Sequence, residues 1–386
     1  MKKEFLARRY RSIESTAMGD SDTKVQAYDD LINFSLGDPD LTTPEIIIER
    51  AFADARAGHT HYTGFAGDLE LIDAIREFYG EEYGLTPRQD EIMVTTSACH
   101  GMWLSLEAIL DQGDEVLIPE PYFTPYPSQV RLAGGVPVFV PTHASEGFKL
   151  TPQAVEAAIT QRTKAMILNT PNNPTGACLG REELIALGRV AKEHDLIIIA
   201  DDIYTEFSYG APFVPIGSLE DFKERTVTLR SFSKNYAMTG WRLGYIFADA
   251  NFIHTVREIN ENNVFTAPSI SQRGGIYAIK HRGEFQEELV GTFKRRTFHA
   301  YERLRKLKNV AISEPQGTFY LFPDIRKTGL SSQEVADKIL EEAHVLVIPG
   351  TAFGQGGEGF LRLAVTVGED KIDEAFDRMA AMEIFQ

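Results

Sequence analysis

Short apolar runs alternate with amphipathic stretches from about residue 35 to residue 275. Glu91–Thr95, Glu115–Ile118, Ala165–Leu168, Leu196–Ala200 and Arg225–Leu229 read as strands;. Leu196-Ile-Ile-Ile-Ala200 is apolar throughout, as expected of a strand buried inside a parallel sheet;. Between these runs, Met102–Leu110 and Glu182–His194 carry helical spacing;. The alternation predicts an α/β fold with a mainly parallel sheet flanked by helices. Helical patterning over Ser269–Leu307 then leads into a smaller α+β part, where Gly317–Phe322, Val345–Ile348 and Gly359–Thr366 read as strands. Residues 1–30 are polar and helix-leaning, which predicts an arm packed on the C-terminal part. The expected division is 1–34 (arm and part of the small subdomain), 35–275 (large subdomain) and 276–386 (small subdomain). The smaller unit would thus be discontinuous.

Composition narrows the function classes. The 386 residues can bury a core larger than one ordinary domain holds;. Lys and Arg number 39 against 56 Asp and Glu, a net charge of −17, which argues against nucleic acid and anionic membranes as partners;. Two cysteines, Cys99 and Cys178, give no disulfide framework and suit a reducing compartment;. No apolar run reaches the ~18 residues of a membrane span, and the basic start Met-Lys-Lys is followed by no signal-like apolar segment;. The expected location is the cytoplasm.

The candidate chemistry sits where strands end. Ser231-Phe-Ser233-Lys234 follows a strand, and Arg242 comes eight residues later. A lysine that forms a Schiff base needs a partly desolvated pocket and nearby cationic character. Two hydroxyls and a guanidinium suit a phosphate. Together these are what a pyridoxal phosphate (PLP) enzyme requires. Asn173 stands before a proline in Asn-Thr-Pro-Asn-Asn-Pro-Thr-Gly, which restricts its backbone;. Asp201-Asp202-Ile-Tyr204 places carboxylates at the end of a buried parallel strand, where open α/β sheets bind ligands;. Thr96–Gly101 reads as a turn entering a helix, whose free N–H groups favour an anion. Arg362 interrupts an apolar strand, and an unpaired buried guanidinium is costly.

Taken in order, these segments resemble the class I/II aminotransferases, PLP enzymes of fold type I, from about Phe34 to the C-terminus, which implies a mainly parallel, seven-stranded-type PLP-binding sheet. The resemblance implies Lys234 as the internal-aldimine lysine and proton carrier. It makes Asp201, by the Asp-x-x-Tyr spacing, the partner of the pyridine nitrogen. Tyr204 and Asn173 would bond the phenolic oxygen. Ser231 and Arg242, with Ser233 as a third, would hold the phosphate. Ala98, Cys99 and His100 align with the phosphate cup, acting through the backbone. Here the chain departs from the glycine pair and lysine of many relatives; His100 could contact substrate or be a helix-start residue with a local hydrogen bond, and Cys99 a small buried residue. Phe123 matches the ring that stacks on the pyridine, with Tyr122 and Tyr126 as alternatives. Tyr62 matches a residue that reaches the neighbouring subunit's cofactor, implying a homodimer with shared sites. Arg362 would pair with the substrate carboxylate, supported by Asn173 and the Gly37 backbone. The implied activity is a PLP-dependent aminotransferase moving an amino group from an L-amino acid to a 2-oxo acid by a ping-pong route through Lys234. A C–S β-lyase on the same residues is the alternative.

Overall fold

The computed structural model describes residues 3–11, 19, 24–25 and 28–386. Among these residues, a seven-stranded sheet runs in the order Ile92–Thr95, Gly244–Phe247, Thr226–Ser231, Ile197–Asp201, Thr163–Asn169, Glu115–Glu120 and Val136–Pro141. Its neighbours pair in parallel except at Gly244–Phe247, which is antiparallel to both flanking strands. The apolar runs explain the layering. Ala165, Ile167 and Ile199 face one core with the helix Ala98–Ile109, whereas Met166, Leu168, Ile198 and Ala200 face another with the helix Arg181–Glu193. Successive side chains point to opposite faces, so a strand covered on both sides must be apolar at every position.

The smaller part mixes both ends of the chain. Ile32–Asn33 pairs in parallel with Val345–Leu346, and Leu361–Ala364 lies between Ile348–Pro349 and Tyr320–Leu321 in an antiparallel sheet. The helices Gln286–Leu304, Ser332–Ala343 and Glu369–Ala381 cover it. Two expected strands are corrected here. Gly317–Phe322 contributes only Tyr320–Leu321, because Thr318 takes a left-handed backbone (φ 62°) and breaks the run;. Val345–Ile348 splits between two sheets at Val347. Half of the expected arm over residues 1–30 lies outside the described residues. Within them, Lys24 reaches Asp337 at 3.1 Å and Tyr28 stacks on His344 at 3.9 Å, both in the C-terminal part.

Candidate active site

Five strand ends converge on one cavity. The segments that follow Ile92–Thr95, Glu115–Glu120, Thr163–Asn169, Ile197–Asp201 and Thr226–Ser231 all contribute to a space of about 340 Å³. Every candidate residue except Tyr62, His100 and the alternative ring Tyr122 lines it: Gly37, Ala98, Cys99, Phe123, Asn173, Asp201, Tyr204, Ser231, Ser233, Lys234, Arg242 and Arg362. Parallel strands make this possible, because all their carboxyl ends open on the same side of the sheet.

Lys234 is half-buried, and its ammonium donates to the Gly37 carbonyl. Burial lowers its pKa to about 8; Asp38 pulls it back up, and Arg362 and Arg242 push it further down. Such an amine is far more often neutral near pH 8 than an ordinary lysine. Asp201 is raised to about 6 by burial, against a hydrogen bond from the Tyr126 hydroxyl that holds it down. Its other oxygen, Oδ1, is buried with no hydrogen-bond partner among the described residues. Asn169 braces this corner, donating from Nδ2 to the Asp201 carbonyl at 2.9 Å and accepting the Asn173 N–H at 2.9 Å.

The anion end is built from a helix start and a strained turn. Ser97 caps the helix Ala98–Ile109 by accepting the His100 N–H at 3.0 Å. The N–H groups of Ala98 and Cys99 have no intrahelical acceptor, since the first helical bond runs from the Gly101 N–H to the Ser97 carbonyl, and both residues line the cavity;. Ser231 Oγ accepts the Ser233 N–H at 3.0 Å. Arg242 adopts a left-handed backbone (φ 56°), and its Nη1 donates to the Thr239 carbonyl at 2.7 Å. Thr239 in turn donates to Asp38 at 2.7 Å.

Across the cavity, Arg362 is 1% exposed. Its guanidinium sits 4.8 Å from the Tyr320 ring centre and 4.9 Å from that of Phe353, and it donates to Asn173 Oδ1 at 3.4 Å and to the Ser35 carbonyl. Phe123 meets Tyr126 edge-on at 5.6 Å.

Several expectations change. The His100 ring stacks on Trp103 at 6.2 Å and does not line the cavity. Neither of its ring nitrogens has a hydrogen-bond partner among the described residues, and burial lowers its pKa to about 4, whereas its backbone N–H makes the local helix-start hydrogen bond to Ser97 Oγ at 3.0 Å. Cys99 is exposed rather than buried. Gly37 engages Lys234 through its carbonyl. Tyr62 is 80% exposed and packs edge-on to Phe265 at 4.9 Å, away from this chain's cavity. Sequence reasoning missed Tyr320, Gln129, Asp38 and Thr239 at the cavity, and weighed Tyr126 only as a stacking ring. No local signal marks Tyr320, whose role comes from a contact with Tyr204, 116 residues away.

The profile of the family described as aminotransferase class I and II matches residues 29–379, and the chain belongs to that family. It is a transaminase that depends on pyridoxal phosphate. Among its relatives, aromatic-amino-acid aminotransferase 2 of Thermococcus litoralis is 38% identical over 358 residues, covering 92% of each chain. Aspartate aminotransferase of Pyrococcus horikoshii is 34% identical, covering 98% of this chain and 97% of its own. The solved structure of Thermus thermophilus aspartate aminotransferase with maleate superposes with a TM-score of 0.93 at 34% identity, over 98% of this chain and 99% of that one.

The cavity fits the cofactor on its own terms. The open Asp201 Oδ1 needs a cationic N–H partner, which a protonated pyridine supplies. A helix start, two serines and an arginine suit its phosphate at the other end;.

Proposed function

We propose that the chain moves an amino group from an L-amino acid to a 2-oxo acid in two half-reactions, with Lys234 as the amine that carries the cofactor. The observation behind this reading is one cavity holding a desolvated lysine, a buried carboxyl with an open oxygen, and a buried arginine. Pyridoxal phosphate supplies an aldehyde for amines and a ring that accepts the electron pair left at Cα. Neutral Lys234 Nζ would be the amine that holds the cofactor's aldehyde, and, once freed, the base that moves the Cα proton. Asp201 Oδ1 would hold a proton on the ring nitrogen, with Tyr126 keeping that carboxylate in place. Tyr204 and Asn173 would serve the phenolic oxygen. Ser231, Ser233, Arg242 and the N–H groups of Ala98 and Cys99 would hold the phosphate. Phe123 would pack against the ring. Arg362, with Asn173 and Gly37 beside it, binds the α-carboxylate through its planar fork. The amino acid and the oxo acid use the same guanidinium in turn, which favours a ping-pong order.

A homodimer belongs to the same reading. Tyr62, Leu69, Phe52, Phe65 and Val264 are exposed large apolar side chains, and a second copy covering them would bring Tyr62 to the neighbouring cavity;. No described helix is long and apolar enough to cross a membrane; with the acidic charge and two free thiols, this supports a cytoplasmic enzyme. Borohydride reduction of the holoenzyme, followed by peptide mapping, should place the cofactor on Lys234; an adduct on another lysine would overturn the assignment. A half-reaction screen of the twenty amino acids should yield oxo acids without ammonia. Stoichiometric pyruvate and ammonia from a thioether substrate would make the protein a lyase instead.

A further inference from the structure

The reading above treats the Tyr204 hydroxyl and the Arg362 fork as separate parts, but Tyr320 joins them. Its hydroxyl lies 2.9 Å from that of Tyr204, and its ring carries the Arg362 guanidinium 4.8 Å from the ring centre. All three side chains are buried and line the same cavity. Tyr320 pairs with Ala364 across the small sheet, so it is tied to the strand that carries Arg362. The approach also depends on a glycine: a Cβ on Gly37 would stand 1.8 Å from the Tyr320 oxygen.

Two phenols sharing one hydrogen bond need a donor and an acceptor. A cation over the ring of Tyr320 draws electron density from it and makes its O–H the better donor. Tyr204 then accepts and keeps its own proton for the cavity, and accepting a hydrogen bond polarises that remaining O–H.

We propose that Tyr320 is a positioning residue that couples the carboxylate anchor to the cofactor's oxygen side, orienting and strengthening the Tyr204 hydroxyl as a donor under the charge of Arg362. The proposal rests on the reading that Tyr204 meets the cofactor's phenolic oxygen. Asp38 also faces Tyr320, Asp201 faces Tyr204, and Asp38, Arg362 and Arg242 face Lys234. Of these only Arg362 is altered in the test, and its direct effect on Lys234 is common to the wild-type and Y320F chains and cancels in their comparison.

The test is a pH titration of the visible absorbance of the holoenzyme, in which a weaker donor at the phenolic oxygen raises the midpoint. Y320F keeps the ring under Arg362 and removes only the hydroxyl. It should raise the midpoint by roughly 0.3–1 pH unit. Y204F should raise it further, and the double variant should match Y204F alone. Arg362→Met should shift the midpoint more in the otherwise wild-type chain than in Y320F. An unshifted Y204F would sink the assignment of Tyr204 itself. A shifted Y204F with an unshifted Y320F would overturn the coupling alone, as would additive effects in either double variant.

Discussion

Asp201 and Asp202 are consecutive and both buried, at 5% and 2% exposure, yet they face different regions. Burial raises their carboxyls to about 6 and about 7, and each leaves one oxygen without a hydrogen-bond partner among the described residues. What differs is what lies opposite. Asp201 lines the cavity, where a cation has to arrive with the cofactor. Asp202 stands within the field of Arg230, which holds its pKa down against burial. The Arg230 guanidinium lies 5.4, 5.9 and 5.7 Å from the rings of Phe78, Tyr79 and Tyr83, and donates to the Tyr83 hydroxyl at 3.2 Å and to Thr205 at 3.1 Å. One face therefore has its cation built in and the other awaits a ligand. Residue type and burial alone do not separate a structural carboxylate from a functional one; the face of the strand does.

Asparagine at each position should break the pair apart. Asp201→Asn should lower kcat on the order of 10²–10³-fold, the usual cost of losing one preorganised electrostatic partner. Asp202→Asn should leave kcat within a few-fold of wild type. Equal losses in steady-state assays of both variants would erase the distinction.

Across the cavity, Arg362→Ala should reduce kcat/KM for every amino-acid substrate by about ten- to a hundredfold, since a charge-assisted bidentate contact is worth roughly 1.5–3 kcal/mol. The loss should be similar for all side chains. A change of selectivity with turnover intact would move Arg362 to a structural role.

The cavity face should also show its lysine. Lys234 is protonated below about pH 8 and neutral above it. Cofactor capture by the apoprotein, followed by stopped-flow absorbance, should therefore accelerate by about tenfold from pH 7 to pH 9 and then level off. A midpoint near 10.5 would mean that the pocket does not desolvate the amine.

The smallest effect is on stability. A carboxyl with a folded pKa raised from 3.8 to about 6 binds its proton more tightly in the folded state, so stability falls as pH rises through that window;. Asp201→Asn removes this loss. Its apoprotein should be more stable than wild type at pH 8, by at most roughly 3 kcal/mol, with the difference vanishing near pH 4 in denaturant titrations.

Five of the seven strands of the large sheet and the two helices named from the sequence were legible in the apolar runs, with ends displaced by a few residues, whereas Val136–Pro141 and Gly244–Phe247 were not expected. The strand expected over Arg225–Leu229 spans Thr226–Ser231, and the helix expected from Met102 already begins at Ala98 under its Ser97 cap. The short strands of the small part were less legible. Two-residue strands are set by their partners and by backbone breaks such as Thr318, not by their own pattern. At the site, the run Ser231–Arg242 pointed to Lys234 and Arg242, and the resemblance to the aminotransferases selected Asp201 over Asp202. It did not reveal that Tyr126 bonds Asp201 or that His100 turns toward Trp103.

The sequence by itself determined the layered α/β architecture, because burial on both faces of a parallel sheet demands apolar residues at every position of a strand. It also determined the candidate groups at the strand ends, because those residue types are costly or idle anywhere else. Only the tertiary structure decided which of them meet: the open oxygen of Asp201, the Gly37 carbonyl on Lys234, and Tyr320 between Tyr204 and Arg362. Each of these is a contact between segments far apart in the chain. Local periodicity specifies which way a side chain faces within its own element, whereas packing between elements specifies what it faces.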